Sequence, residues 1–521
     1  MEYNNPSEIV KNLAFGNDAK EAIFSGVDKL TNAVKSTLGA SGKCVIYEDA
    51  MGKPVVTKDG VTVANSVILE DALENIGATL IKQAAQSTVK EAGDGTTTST
   101  VLAHSILNEL SSLPSNMTMR DAKSEMDDAM VKINRYLDSN SVQVENEMLY
   151  QVATISSNND QELGKLIGGA YESVGKTGVV LMEESETEET YVEQVKGIQF
   201  DCGIKSQHLV TEKDKGTATL DDPYILIVAS EIPNIRKIQN VLEYVIKQKR
   251  SLLIAAPMAQ QPMSALLMNK IKGNIKVNII DLPGFGATKR DTIEDLAIIT
   301  GAKVIDEQLG DDLDLIDPDS LGSALKAVTD SSNTVITVSE MPEAAKERIT
   351  SVENKIADEK DGFMKKKLEQ RLAMLTGAVS IVKVGANSKV ELKEKKDRVE
   401  DAIYATKAAL KEGIVPGGGI ALLNAAQEIV ADNDAEKILL NAIKAPYNTI
   451  LDNAGIIKAV EPVKGQGVDV NDGTESDMIQ AGIIDPVLVT KSALKNAVSV
   501  VTTIISADCI ISNMRGDASS K

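Results

Sequence analysis

The run Gly93-Asp94-Gly95-Thr96-Thr97-Thr98 sets a carboxylate, two flexible backbone positions and three hydroxyls directly before an apolar stripe. Leu102, Ile106 and Leu110 recur every fourth residue, so the spacing predicts a helix that begins at the threonines. A helix start offers free N–H groups and a positive dipole end to an anion. Asp94 adds a hard oxygen donor suited to a cation such as Mg²⁺. These are the parts needed to grip a nucleotide triphosphate. Each also has a plainer reading. Asp59-Gly60 and Asp94-Gly95 are common turn dipeptides, the threonines could simply cap a helix, and the stretch from Pro416 to Gly419 is a loop. Asp401, in a charged run from Glu391, reads alone as a solvated helix face. Gly175-Lys176-Thr177 imitates the end of a P-loop, but the glycine needed five residues earlier is Ala170, and the segment ends a helical stripe. His104 and His208 are the sole histidines, and no GxSxG, HExxH or GxGxxG is present, which disfavours hydrolytic triads and histidine-based metal catalysis.

The elements that must carry these residues follow from periodicity. Residues 18–38 form an amphipathic helix with Ile23, Val27, Leu30, Val34 and Leu38 in line, ending at Gly39. Residues 43–48 and 54–57 alternate as a β-hairpin, and long helices continue to about residue 137. Between about 196 and 379, β-rich runs at 224–229, 251–256, 276–280 and 334–338 alternate with helical stretches, which predicts an α/β domain. The continuous apolar run 251–256 reads as a buried strand. Residues 340–376 are charged and helical, residues 398–412 form a helix capped by Gly413, and the last hundred residues are mostly helical. This is a middle domain inserted into a helical one.

Composition narrows the class. A chain of 521 residues implies roughly three domains. With aromatics at 3%, the cores must rest on Val, Ile, Leu, Ala and Met. A net charge of −21 argues against nucleic acid or an anionic membrane as partner. Cys44, Cys202 and Cys509 form no CxxC, so disulfides and thiolate metal sites are not expected. No apolar run reaches the ~18–20 residues of a membrane span, and the start lacks a signal-peptide pattern. The expectation is a soluble, cytoplasmic protein.

Read together, the blocks resemble the group I chaperonins, the GroEL/Hsp60 family, over essentially the whole chain. They stand in family order: Phe15-Gly16-Asn17-Asp18-Ala19, Thr37-Leu38-Gly39, Thr57-Lys58-Asp59-Gly60-Val61, Gly93 through Thr98, Gly197-Ile198-Gln199-Phe200-Asp201, Pro283-Gly284-Phe285-Gly286, Lys393-Glu394-Lys395-Lys396, Arg398-Val399-Glu400-Asp401-Ala402, Gly417-Gly418-Gly419 and Ile484-Asp485-Pro486. The resemblance implies a multidomain α+β fold: a mostly helical equatorial domain (1–139 and 412–521), an inserted intermediate domain (140–195 and 380–411) and an α/β apical domain (196–379). It implies an ATPase that captures unfolded polypeptides, forms homo-oligomeric rings, seven-membered by family pattern, and works with a GroES-like lid. ATP and Mg²⁺ are the implied cofactors, with K⁺ as a second candidate cation. By motif, Thr37, Leu38, Gly39, Ala40, Lys58, Gly95, Thr96, Thr97 and Thr98 would surround the phosphates. Gly418, Asp485 and the loop Asp469-Val470-Asn471 would flank the nucleoside, and Asp94 would hold Mg²⁺. Asp401 would position or deprotonate the attacking water with Asp59 assisting. Ile204, Leu209, Ile238, Leu242, Met263, Leu267 and Met268 would line the groove for unfolded chains and the lid. A group II chaperonin with a built-in lid and a non-chaperone ATPase are the competing readings. Departures mark a divergent member: Ala40-Ser41 replaces Pro-Lys, Cys202 an arginine, Lys389 a glutamate, Gly377-Ala378 a Gly-Gly hinge, and His208 and Gln239 an aromatic and a leucine.

Overall fold

Ile23, Val27, Leu30 and Val34 are the buried stripe of the Gly16–Lys35 helix. The computed structural model describes residues 11–49, 51–110, 117–157, 159–175, 178–212, 216–284, 289–358, 378–457 and 462–513, with 364, 368, 371, 372 and 375. Phe285, Gly286, Lys176, Thr177 and Gly377, singled out from the sequence, lie outside the described residues. The helix stops three residues short of the expected Leu38. Asn453 Nδ2 donates to the carbonyls of Lys35 at 2.8 Å and Leu38 at 2.9 Å, so the backbone there is satisfied from outside and need not stay helical.

The chain divides into two compact units, one of Met1–Gly169, Glu184–Glu189 and Val384–Lys521, the other of Ala170–Glu183 and Thr190–Lys383. The expected intermediate segments are shared between them. In the first unit the helices Gly16–Lys35, Ala72–Ala92, Thr96–Leu110, Met119–Ser139, Asp434–Ala442 and Val487–Ile505 enclose one aliphatic core. Two of them cross closely. A Cβ at Gly26 would lie 1.8 Å from the Glu74 carbonyl oxygen, and one at Gly77 would lie 2.4 Å from that of Ile23. Among the described residues one helix, Val487–Ile505, is long and apolar enough to cross a membrane by length and composition, although runs of apolar residues alone gave no such span. Its apolarity has a local cause: it packs against the helices Ala72–Ala92, Thr96–Leu110, Met119–Ser139 and Lys389–Glu412 at once.

The expected hairpin is present as Val45–Glu48 paired with Pro54–Thr57. Lys11–Phe15 pairs antiparallel with Cys509–Asn513, tying together the two chain ends. Sequence reading passed over this pair because Lys11–Phe15 buries only Ala14 and Cys509–Asn513 only Ile510 and Ser512, too little apolar alternation to mark a strand. The expected helix 398–412 begins nine residues earlier, at Lys389, where the Ser388 hydroxyl accepts from the Glu391 N–H at 3.2 Å. Its first half is held by charge rather than by an apolar stripe, and periodicity is blind to that.

Among its described residues the second unit contains two sheets. Val304–Ile305, Pro223–Val228, Ser251–Ala255 and Val277–Ile280 lie parallel in that order, with Gly322–Ser323 antiparallel on Pro223–Val228. Ser251–Ala255 is buried throughout, as parallel strands covered on both faces require. The second sheet runs Val179–Glu184, Ala378–Val384, Tyr191–Phe200, Thr334–Val338, Lys326–Thr329, Ala218–Asp221.

Candidate nucleotide site

The Ala72–Ala92 helix ends on Gly93, whose φ of 78° is left-handed, and Gly95 follows at 93°. Both glycines are required on steric grounds too. A Cβ at 93 would sit 2.2 Å from Tyr404 Cβ, and one at 95 would sit 2.8 Å from Val489 Cγ1. Asp94 is therefore pinned between the Lys389–Glu412 and Val487–Ile505 helices. The Thr96–Leu110 helix starts immediately, so its first-turn N–H groups have no acceptor within the helix.

The hairpin delivers Lys58, exposed, and then Asp59 to the same place. Asp59 caps the Gly60–Ser66 helix, accepting from Val61 N–H at 3.1 Å and Thr62 N–H at 2.8 Å, so the plain capping reading is also correct. Gly60 abuts the threonine turn, since a Cβ there would meet Thr97 Oγ1 at 2.2 Å. From the other half of the chain, Ile414–Pro416 pairs with Ile484–Pro486, placing Val415 opposite Asp485. The Asp485 carboxylate accepts the N–H groups of Gly418 and Gly419. Beside this turn lies a small apolar cluster of Ile420, Leu423, Tyr447, Leu451, Val468 and Met478, with Val470 against it. Asp469 closes the adjoining hairpin turn by accepting the Asn471 N–H and Nδ2–H, both at 2.9 Å. Gly39 faces Ile450 on the Ala445–Ala454 helix, which also carries Tyr447, while Ala40 is exposed.

The electrostatics are those of a cluster of acids. Asp94, Asp401 and Asp485 each keep a partly exposed surface while surrounded by protein. Burial first, then repulsion from Asp94, Asp59, Glu400 and Asp397, pushes Asp401 well above the usual carboxylate range. Asp94 is raised by burial and by Asp59, against the Gly95 N–H it accepts. Asp485 is pushed up to about 6 by burial and by Asp94. The structure thus brings Asp59, Asp94, Asp401 and Asp485 together from segments far apart in sequence. It adds Asp397, which sequence reading missed. The available signal was its position four residues before Asp401, on the same helical face. Burial and Asp59 raise it to about 6 in spite of Lys393.

These residues fit a Mg²⁺–nucleotide. The charges acting most on Asp401 are all carboxylates, so a cation arriving with phosphates would relieve it. Among the described residues no group of three or more His, Cys, Asp or Glu forms a self-contained metal site. Mg²⁺ binds through one or two carboxylates plus substrate oxygens and water, a demand that Asp94 and an incoming phosphate would meet.

Residues 30–515 match the TCP-1/cpn60 chaperonin family. The chain belongs to that family. A search of solved structures finds the chaperonin gp146 from the bacteriophage EL 2 (Pseudomonas aeruginosa), crystallised in the presence of ATP-BeFx. Crystal form II matches with a TM-score of 0.73 at 21% identity, covering 96% of this chain and 99% of that one. Crystal form I matches over the same shares with a TM-score of 0.64. The likeness establishes the chaperonin fold.

In this chaperonin the candidate groove residues divide. Leu209 and Ile238 are fully buried in the core under the parallel sheet and cannot meet a client, which corrects the expectation for those two. Ile238 closes a 3-10 turn, Ile235–Ile238, ahead of the Gln239–Gln248 helix, and its side chain is buried there. Ile204, Leu242, Met263 and Leu267 are half-buried at the edge of that core, and Met268 is 53% exposed. His208 and Gln239 are exposed, with Gln239 Nε2 donating to Glu243 at 2.7 Å. Cys202 is buried beside Phe200, and burial pushes its thiol up to about 11.

Proposed function

We propose that this protein is an ATP-driven chaperonin subunit of the group I type. The observation that carries this reading is the meeting of Asp59, Asp94 and Asp401 at the N-terminus of the Thr96–Leu110 helix. The N–H groups of Thr96, Thr97 and Thr98 bind phosphate oxygens, and Thr37, Leu38, Gly39 and Lys58 complete the cradle. Gly418, Asp485 and the apolar cluster with Val470 hold the nucleoside. Asp94 would hold Mg²⁺, which supplies charge neutralisation for phosphoryl transfer. Asp401 accepts the proton of the attacking water. Its raised proton affinity fits that role, and Asp59, fixed by its cap bonds, orients the same water.

Asp401 also sits on a helix tied to both crossover segments. Lys396 pairs with Glu184 at 2.5 Å, and Lys395 Nζ donates to the Gly385 carbonyl at 3.2 Å. Through these ties, movement of the segments that lead to the apical unit shifts the helix bearing the base, linking turnover to shape. Unfolded polypeptides are gripped by Met268, Leu242, Met263, Leu267 and Ile204, several copies acting by avidity around a seven-membered ring. A GroES-like lid displaces them. Cys44, Cys202 and Cys509 are all free thiols, which is consistent with a cytoplasmic site. The test is negative-stain imaging and steady-state ATPase on the purified protein. Sevenfold rings that change shape with Mg-ATP and turnover lost in Asp401→Ala support the reading. Monomers without ATPase overturn it, as does an active Asp401→Ala.

A further inference from the structure

The turn that carries Asp94 is clamped from two sides, and the clamps differ. On one side, a Cβ at Gly95 would meet Val489 Cγ1 at 2.8 Å and Thr88 Cγ2 at 3.2 Å, both small aliphatic ends. On the other, a Cβ at Gly93 would meet Cβ, Cγ and Cδ1 of Tyr404 at 2.2, 2.4 and 2.9 Å. The root and near edge of an aromatic ring therefore rest on bare backbone, and only glycine leaves room for them. Tyr404 belongs to the Lys389–Glu412 helix, three residues after Asp401 and four before Ala408, so the three share one helical face. Ala408 is buried with Ala92 and Val489 in a small apolar cluster. Helix and turn thus advance in step: Ala408 lies with Ala92, Tyr404 sits on Gly93, and the next turn of the helix carries Asp401. Yet Tyr404 is 36% exposed, which is poor use of an aromatic ring if core packing were its purpose.

We propose that Tyr404 is a positioning residue for hydrolysis: its ring, seated on Gly93, fixes how far the Lys389–Glu412 helix stands from the phosphate-binding turn, and so where Asp401 meets the attacking water. This rests on the assignment of Asp401 as base. The ring acts through Asp401 and has no chemistry of its own. It is a spacer of constant thickness, resting on backbone that has little freedom to yield. Gly93 is held at a left-handed φ of 78°, and Val489 backs the turn at Gly95. Such a spacer matters to the rate because a 1 Å misplacement of a reacting group costs about a hundredfold. Nucleotide binding draws on other elements, the start of the Thr96–Leu110 helix and the apolar cluster around Ile420, so it is insensitive to the spacer.

The test is a split between turnover and binding in the full-length protein. In Tyr404→Ala, kcat falls about ten- to a hundredfold, while the Kd for Mg-ADP measured by calorimetry is unchanged. Tyr404→Phe, which keeps the ring, recovers most of the rate. Added to Asp401→Asn, Tyr404→Ala lowers turnover no further, because a residue that acts only through another has nothing left to act on. Normal kcat in Tyr404→Ala overturns the proposal. So does a Tyr404→Phe as slow as the alanine variant, or a loss of Mg-ADP affinity as large as the loss of rate. A full additional loss in the double variant also overturns it, since the ring would then serve something other than Asp401. The single variants separate the two assignments. If Asp401→Asn is inactive while Tyr404→Ala is normal, the spacer alone fails. If Asp401→Asn is active, the base itself is wrong.

Discussion

Asp295 and Asp401 are both helix aspartates drawn away from water, and their company is opposite. Asp295, in the Lys289–Thr300 helix, is 2% exposed and takes Arg371 Nε at 2.6 Å and Arg348 Nε at 3.0 Å. Asp291 receives Arg371 Nη1 at 2.7 Å, so this helix is bound to the Glu343–Asp358 helix, which carries Arg348, and to Arg371 by a closed ionic network. Asp401 has only acids as its strongest neighbours. A buried charge that serves structure is satisfied within the chain. One left among like charges costs stability and awaits something from outside, a cation or a proton.

The comparison can be broken first at turnover. Asp401→Asn lowers steady-state ATPase by about 10²–10⁴-fold while leaving the melting temperature at pH 8 unchanged or higher. Asp295→Ala should do the reverse. Removing one partner of a buried network costs about 3–5 kcal/mol, seen as an early apical transition in calorimetry, with the nucleotide site intact in the folded fraction. If both substitutions destabilise alike, the distinction fails.

The pH dependence sharpens it next. Asp397 and Asp485 have folded values near 6, above those of an unfolded aspartate, so between about pH 4 and 6 the native state binds more protons. Stability of the nucleotide-free protein therefore falls as pH rises through that window and stays lower above it. A melting series over pH 4–8 should show this decline, and saturating Mg-ADP should offset it, by about 2.7 kcal/mol at a hundredfold excess over Kd. A smaller effect divides the apical residues. Ile238→Ala costs about 2–5 kcal/mol of stability as a core truncation. Met268→Ser should change stability by less than about 0.5 kcal/mol, yet weaken capture of a denatured client in a light-scattering assay.

Much of this was legible in the one-dimensional pattern. The stripe of the first helix, the hairpin at 54–57 and the buried strand at 251 are local facts, written in spacing and turn chemistry. Family blocks added the identity of Asp59, Asp94 and Asp401. Asp397 stayed hidden because its spacing from Asp401 within a charged run carries no weight until something acidic is packed opposite it. Leu209 and Ile238 were placed in the groove by family position, which marks a site as apolar without showing whether the chain's own core covers it.

By itself, then, the sequence determined the elements, the glycine turn around Asp94 and the membership that its ordered motifs imply. Those depend on backbone sterics and periodicity, which act within a few residues. The tertiary structure decided that Gly60 would touch Thr97, that Asp485 would rest on the Gly418 and Gly419 N–H groups, and that five acids would share one cluster. Desolvation and charge repulsion depend on distance through space, and only the packed chain fixes those distances.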